Sequence, residues 1–228
     1  LAKPFLASRK SPWLVDGKLN IDPAVEKFID SCKFLRDNGC DGKVGQWSEG
    51  WFLGMQDSLK AADGEAVEVF SYFLPAWGLH YVLKTSSPVT SGDWAMVQGP
   101  SYWYWGGTWL AASKNTKNPE LARDFIKFIC SDDTFLESRG KEVGDLVANK
   151  NVVAKLEDMF LEPYLSGQNF YRKFAEAADN VDGSLDQSYD SSIESLLLEA
   201  IDSFILGEKT KEEALSDFEK QVNAILVK

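Results

Sequence analysis

QGPSYWYWGGTWLAA, residues 98–112, places Tyr102, Trp103, Tyr104 and Trp105 in succession ahead of Gly106-Gly107 and a short β-like run over 108–112. Successive side chains of an extended chain point to opposite faces, so four consecutive aromatics cannot all enter one core. Some of them face a groove or solvent. Tryptophan and tyrosine join a flat apolar face to a polar edge, which suits a core and the face of a sugar ring alike. The double glycine removes side chains where the backbone turns sharply or lets another group approach. Two readings follow: a buried strand ending in a tight turn, or a ligand platform.

Working upstream, EAVEVFSYF at 65–73 alternates Val67, Val69, Ser71 and Phe73 against Glu68, Phe70 and Tyr72, which predicts a strand covered on both faces. Pro75 stops it and opens a helix through Ala76, Trp77, Leu79, Tyr81 and Val82. A helix starting at the end of a buried strand is where open α/β sheets hold their ligands, and Trp77 sits in that first turn. Before the strand, Ser48 is the N-cap of a helix spanning 46–60, with Trp51, Phe52, Met55 and Leu59 on one face. Trp47, just ahead of the cap, is either a hydrophobic staple or a ring overhanging a cleft. Earlier still, the turn at 15–18 predicts a short hairpin. Asp22-Pro23 starts a helix whose stripe is Val25, Phe28, Ile29, Cys32 and Leu35.

Downstream, 93–98 and 108–112 read as short strands, and Asn118-Pro119 repeats the cap-plus-proline start for an amphipathic helix. Helices follow at 133–138, 151–160, 170–178, 191–204 and 211–227, the last with Thr210 and Glu213 at capping-box spacing. Between them, Gln168 and Asn169 in one loop, and Asp186 and Gln187 in another, offer hydroxyl-binding side chains that serve equally as helix caps.

A net charge of −11 over 228 residues disfavours nucleic acid, which demands a basic footprint. No run reaches the roughly 18 apolar residues of a membrane span. Three cysteines cannot all pair within the chain; Cys32 and Cys130 fall on apolar helix faces and read as buried thiols, Cys40 in a turn. His80 is the single histidine, which leaves neither a zinc site nor a histidine-dependent triad in view, and no P-loop, G-x-S-x-G or G-x-G-x-x-G is present. The expectation is binding rather than catalysis, with no cofactor and no metal.

The ordered segments GQWSEGWFLGM, VEVFSYFLPAW, GDWAMVQGPSYWYWGGTWLAASKNTKNPELARDFIKFI and EKTKEEALSDFEKQVNAIL resemble the extracellular solute-binding proteins of ABC sugar importers, the family similar to maltose-binding protein. The resemblance covers nearly the whole chain and is most specific around the aromatic Gly-Gly stretch. It implies an α/β fold of the type II periplasmic-binding-protein kind, here a helix-rich portion with a small sheet. Residues 1–92 and 145–228 would form the C-terminal lobe, and 93–144 a crossover segment. Because members are nearly twice as long and the chain opens on Leu1, it is expected to be an excised C-terminal portion with any export signal upstream.

In that family Trp77 matches the Pro-Trp position that stacks on sugar. Tyr104, Trp105, Gly106 and Gly107 match the turn at the cleft edge, with Trp103 beside them, and Trp47 matches a position facing the cleft. Gln168, Asn169, Asp186 and Gln187 would supply hydroxyl partners. The implied partners are a mono- or oligosaccharide and the membrane subunits of an ABC permease. The protein would be monomeric, and periplasmic or anchored at the cell surface. Alternatives are a non-sugar solute on the same fold, or an accessory module of a carbohydrate-active enzyme.

Overall fold

The computed structural model describes residues 2–227 and is helix-rich with one small two-stranded sheet. In chain order it contains α1 (Ala2–Leu6), β1 (Leu14–Val15), β2 (Lys18–Leu19), α2 (Pro23–Asp37), α3 (Glu49–Met55) and α4 (Ala76–Gly78). A π-helical turn (Leu79–Leu83) runs on from α4 into α5 (Lys84–Ser86). Then come α6 (Pro119–Ser131), α7 (Asp133–Val143), α8 (Lys150–Leu156), α9 (Phe170–Asn180), α10 (Asp190–Ile205) and α11 (Lys211–Leu226). These elements form two compact units: one holds the chain up to Lys43, Gly99–Trp103 and everything from Asp182; the other holds Val44–Gln98 and Tyr104–Val181. This is a different partition from the division at 92 and 145 that the resemblance implied.

In the first unit, β1 and β2 pair Leu14 with Leu19 and Val15 with Lys18, and Asp16 and Gly17 take up the left-handed conformations that a two-residue hairpin turn needs. Burial of Leu6, Trp13, Val25, Phe28, Ile193, Leu197, Phe218 and Val222 joins α1, α2, α10 and α11. Val25, Phe28 and Ile29 of the α2 stripe are buried in this core with Cys32 packed against it, and the capping box of Thr210 and Glu213 starts α11.

Asp22 fixes the start of α2. One of its carboxylate oxygens accepts from the Ala24 N–H at 2.8 Å, the other from the Lys10 N–H (2.8 Å), the Ser11 N–H (3.0 Å) and the Ser11 hydroxyl (2.9 Å). Burial alone would raise this carboxyl, but the four hydrogen bonds outweigh it and hold Asp22 below its ordinary 3.8. A carboxylate depressed in the folded state contributes stability that is present above its unfolded value and lost as pH falls through its folded value. Asp22→Asn puts an N–H₂ in front of two backbone donors, so it is expected to lower stability at neutral pH and to flatten the loss of stability below about pH 4. Denaturant melts at several acidic pH values, wild type against variant, check this.

The second unit is built around Met55, Leu79, Val82, Leu83, Leu136, Val152, Leu156, Tyr164, Phe170 and Tyr171. A buried polar hub ties its loops together. The Ser87 hydroxyl donates to the Met55 carbonyl at 2.7 Å, the Thr90 and Tyr164 hydroxyls meet at 3.0 Å, and the Trp94 indole N–H donates to Thr90 at 2.8 Å.

The expected strands at 65–73, 93–98 and 108–112 do not form. The 65–73 stretch pairs only through the isolated bridge of Ala66 to Lys60, and 93–98 and 108–112 enter no bridge; the other isolated bridge among the described residues of this unit is Glu162 to Gln168. Alternation reports which faces a neighbour covers, not whether a strand lies alongside. Val67 and Val69 are half-buried, while Phe70 is 100% exposed. The α3 helix stops at Met55, short of Leu59.

The helix begun by Pro119 forms, without a side-chain cap from Asn118, and none of its residues is buried. Leu121, Phe125 and Phe128 on its apolar side are exposed, and so is Cys130, contrary to the buried thiol expected there. An amphipathic stripe names the face to be covered but does not supply the cover. Cys40 is also exposed, whereas burial pushes the Cys32 thiol up to about 11. An alkylating reagent at mildly alkaline pH is therefore expected to modify Cys40 and Cys130 rapidly, and Cys32 only slowly until denaturant is added, as peptide mass mapping would read.

Candidate functional site

Four tryptophan rings gather in the second unit. Ser48 caps α3, its hydroxyl accepting from the Trp51 N–H at 3.3 Å, and this turns Trp51 toward the core. Just before the cap, Trp47 has φ 69°. A bulky residue in the left-handed region stores strain that surrounding contacts must hold, and such strain clusters at ligand sites.

Here those contacts are aromatic. The Trp47 ring lies 4.8 Å from Trp51, 6.3 Å from Phe52 and 6.2 Å from Trp77, the last pair nearly parallel at 12°. Trp105 stands edge-on to both members of that pair, 6.4 Å from Trp47 at 79° and 6.2 Å from Trp77 at 85°. Trp77 comes from the first turn after Pro75, and Trp105 from the extended aromatic stretch.

Trp47 packs on Trp51 and Phe52, the contact a hydrophobic staple makes, and is 45% exposed overall. Trp77 is 37% exposed, Tyr104 49% exposed, and Trp105 half-buried. Gly107 is where two side chains close in: a methyl there would stand 3.2 Å from the Tyr104 hydroxyl and 3.5 Å from the Trp109 ring. A methyl on Gly106 would meet open space. Exposed Trp109 sits in the β-like run 108–112 that predicts a strand, and nothing local in the sequence marks it further.

The chain matches no family model. Nor does it match any curated protein or solved structure.

Three of the remaining candidates, Gln168, Asn169 and Gln187, are held by the backbone. Gln168 Oε1 accepts from the Met96 N–H at 2.5 Å and its Nε2 donates to the Met96 carbonyl at 3.3 Å, so the side chain stands in for the neighbouring strand that 93–98 lacks. Asn169 caps α9 through the Arg172 N–H at 3.0 Å and donates to the Glu157 carbonyl. Gln187, in the first unit, embraces the Leu14 backbone in the same double fashion, at 2.9 and 3.1 Å. Asp186 and Trp103 also belong to the first unit, Asp186 exposed and Trp103 half-buried.

Among the described residues no group of three His, Cys, Asp or Glu side chains could hold a metal, and no helix is long and apolar enough to cross a membrane. What the tryptophan cluster can offer is apolar ring area, part of it exposed. The pair Trp47 and Trp77 already stack on each other, so a ligand meets their outer surfaces rather than a slot between them.

Proposed function

We propose that this chain binds a mono- or oligosaccharide, as the substrate-binding component of an ABC importer with a type II periplasmic-binding-protein fold. The observation that carries this reading is the convergence of Trp47, Trp77 and Trp105 from three separate stretches into one partly exposed cluster, beside exposed Tyr104. Contiguous clusters of exposed apolar rings, unlike single exposed side chains, mark interaction surfaces. The apolar faces of a pyranose shed water against indole, while its hydroxyls keep partners at the rim.

The order of family-like segments along the chain supports the importer, and through it delivery to permease subunits outside the cytoplasm. The net charge of −11 favours a neutral ligand over phosphate-bearing polymers.

Calorimetry against a panel of mono- and oligosaccharides tests the reading. Heat of binding that saturates for at least one glycan supports it. Binding only to peptides, polyamines or metal complexes replaces the substrate class, and multiple turnover of a glycan replaces the binding role with an enzymatic one.

A further inference from the structure

We infer that His80 is a proton-operated latch that holds the Trp77-bearing helical run against the C-terminal turn of α7, so that acidification loosens the tryptophan cluster. The run from Ala76 to Ser86 carries Trp77 in its first turn and His80 one turn later, at the start of the π-helical turn whose closing bond goes from the Lys84 N–H to the Leu79 carbonyl. π-Turns interrupt the regular ladder and concentrate at working parts of proteins.

The imidazole is pressed directly on Gly144, the left-handed residue (φ 72°) that ends α7. A methyl there would sit 2.8 Å from Cε1 and 3.0 Å from Nε2. Phe170 of α9 meets the imidazole edge-on at 5.3 Å and crowds the same Gly144 position, where a methyl would stand 3.3 Å from its ring. Asp145 Oδ1, in the residue following Gly144, is buried without a hydrogen-bond partner. The other Asp145 oxygen accepts from the Tyr81 hydroxyl at 2.8 Å.

A neutral ring suits this site and a charged one does not. Burial disfavours the imidazolium first, and the Lys84 ammonium adds to it. Asp145, Glu162 and the Gly144 backbone oppose, yet the balance leaves His80 below its ordinary 6.5. Glu162 is itself engaged by Lys84 at 3.0 Å, which blunts its pull. The remaining groups nearby are Tyr81 on the same run, Arg139 of α7, which acts on Tyr81, and buried Tyr171 of α9.

A histidine depressed in the folded state lends stability that is present above its unfolded value and lost as pH falls toward its folded one. Desolvation and the Lys84 ammonium drive the charged ring toward water against the pull of Asp145 and the Gly144 backbone, and the helical run that carries Trp77 moves with it.

His80 is the only histidine, so the test is direct and uses no ligand. Imidazole C–H signals and the Trp77 indole N–H, assigned with Trp77→Phe, are followed by NMR from pH 8 to pH 4.5. The inference expects an imidazole midpoint below 6.5 and a Trp77 shift with the same midpoint, absent in His80→Gln. A midpoint at or above 6.5, or a Trp77 signal that stays still while His80 titrates, overturns it. The wild-type titration decides even if His80→Gln fails to fold. Because no sugar is present, the outcome is independent of the proposed ligand.

Discussion

Trp13→Ala is expected to cost about 4 kcal/mol of folding stability, in the range for deleting a buried tryptophan. Trp13 is fully buried and packs edge-on against Phe218 at 6.2 Å, linking the β1–β2 hairpin region to α11. The Arg9 guanidinium lies 4.5 Å from the ring centroid and reaches Asp190 at 3.5 Å. Removing the indole therefore leaves a cavity and also strips one side from a buried cation. Most domains have only about 5 to 15 kcal/mol to lose, so the variant is expected to sit near its unfolding threshold.

The indole N–H is itself buried without a hydrogen-bond partner, so Trp13→Phe removes an uncompensated donor along with some area. It is expected to cost clearly less than the alanine. Urea melts of the three proteins read both numbers. A loss below about 1 kcal/mol for Trp13→Ala would place the ring outside the core it is seen to fill.

The second large effect falls on binding. Trp77→Ala is expected to weaken sugar affinity by about 1 to 3 kcal/mol, roughly 5- to 150-fold, while the fold persists. Trp77 is one wall of the cluster, parallel to Trp47 and edge-on to Trp105, and more than a third of its surface is open. Its truncation removes contact area offered to a ligand and little that the core of the second unit depends on. Calorimetry with the tightest glycan, paired with a melt of the same variant, separates the two. Unfolding with unchanged intrinsic affinity would make Trp77 a packing residue.

Helix starts and stripes were legible because their signals are local. Asp22-Pro23, Ser48, Thr210 with Glu213 and the stripe Val25, Phe28 and Ile29 each act within a turn or two, and each does what its spacing predicts. Strands were not legible in the same way. Val67 and Val69 alternate properly yet the ladder is missing, because pairing depends on a neighbour elsewhere in the chain. The same limit governs α6, whose stripe is correct and whose cover is not seen.

For the candidate site, the rings were legible and the amides were not. Trp47, Trp77 and Trp105 announce themselves as large side chains next to turns, and they do converge. Gln168 and Gln187 looked like ligand partners because an amide suits a hydroxyl and a peptide group equally; the backbones of Met96 and Leu14 take them. Nothing local distinguishes Trp109 from a strand residue; its approach to Gly107 is a matter of chain path.

Saturation-transfer NMR on a bound oligosaccharide probes the tryptophan cluster itself. The expected result is strong transfer to the C–H protons on one face of a sugar ring, much reduced in Trp77→Ala and in Trp47→Ala. Equal transfer to all sugar protons, or transfer that survives both substitutions, would contradict a carbohydrate stacked on these indoles.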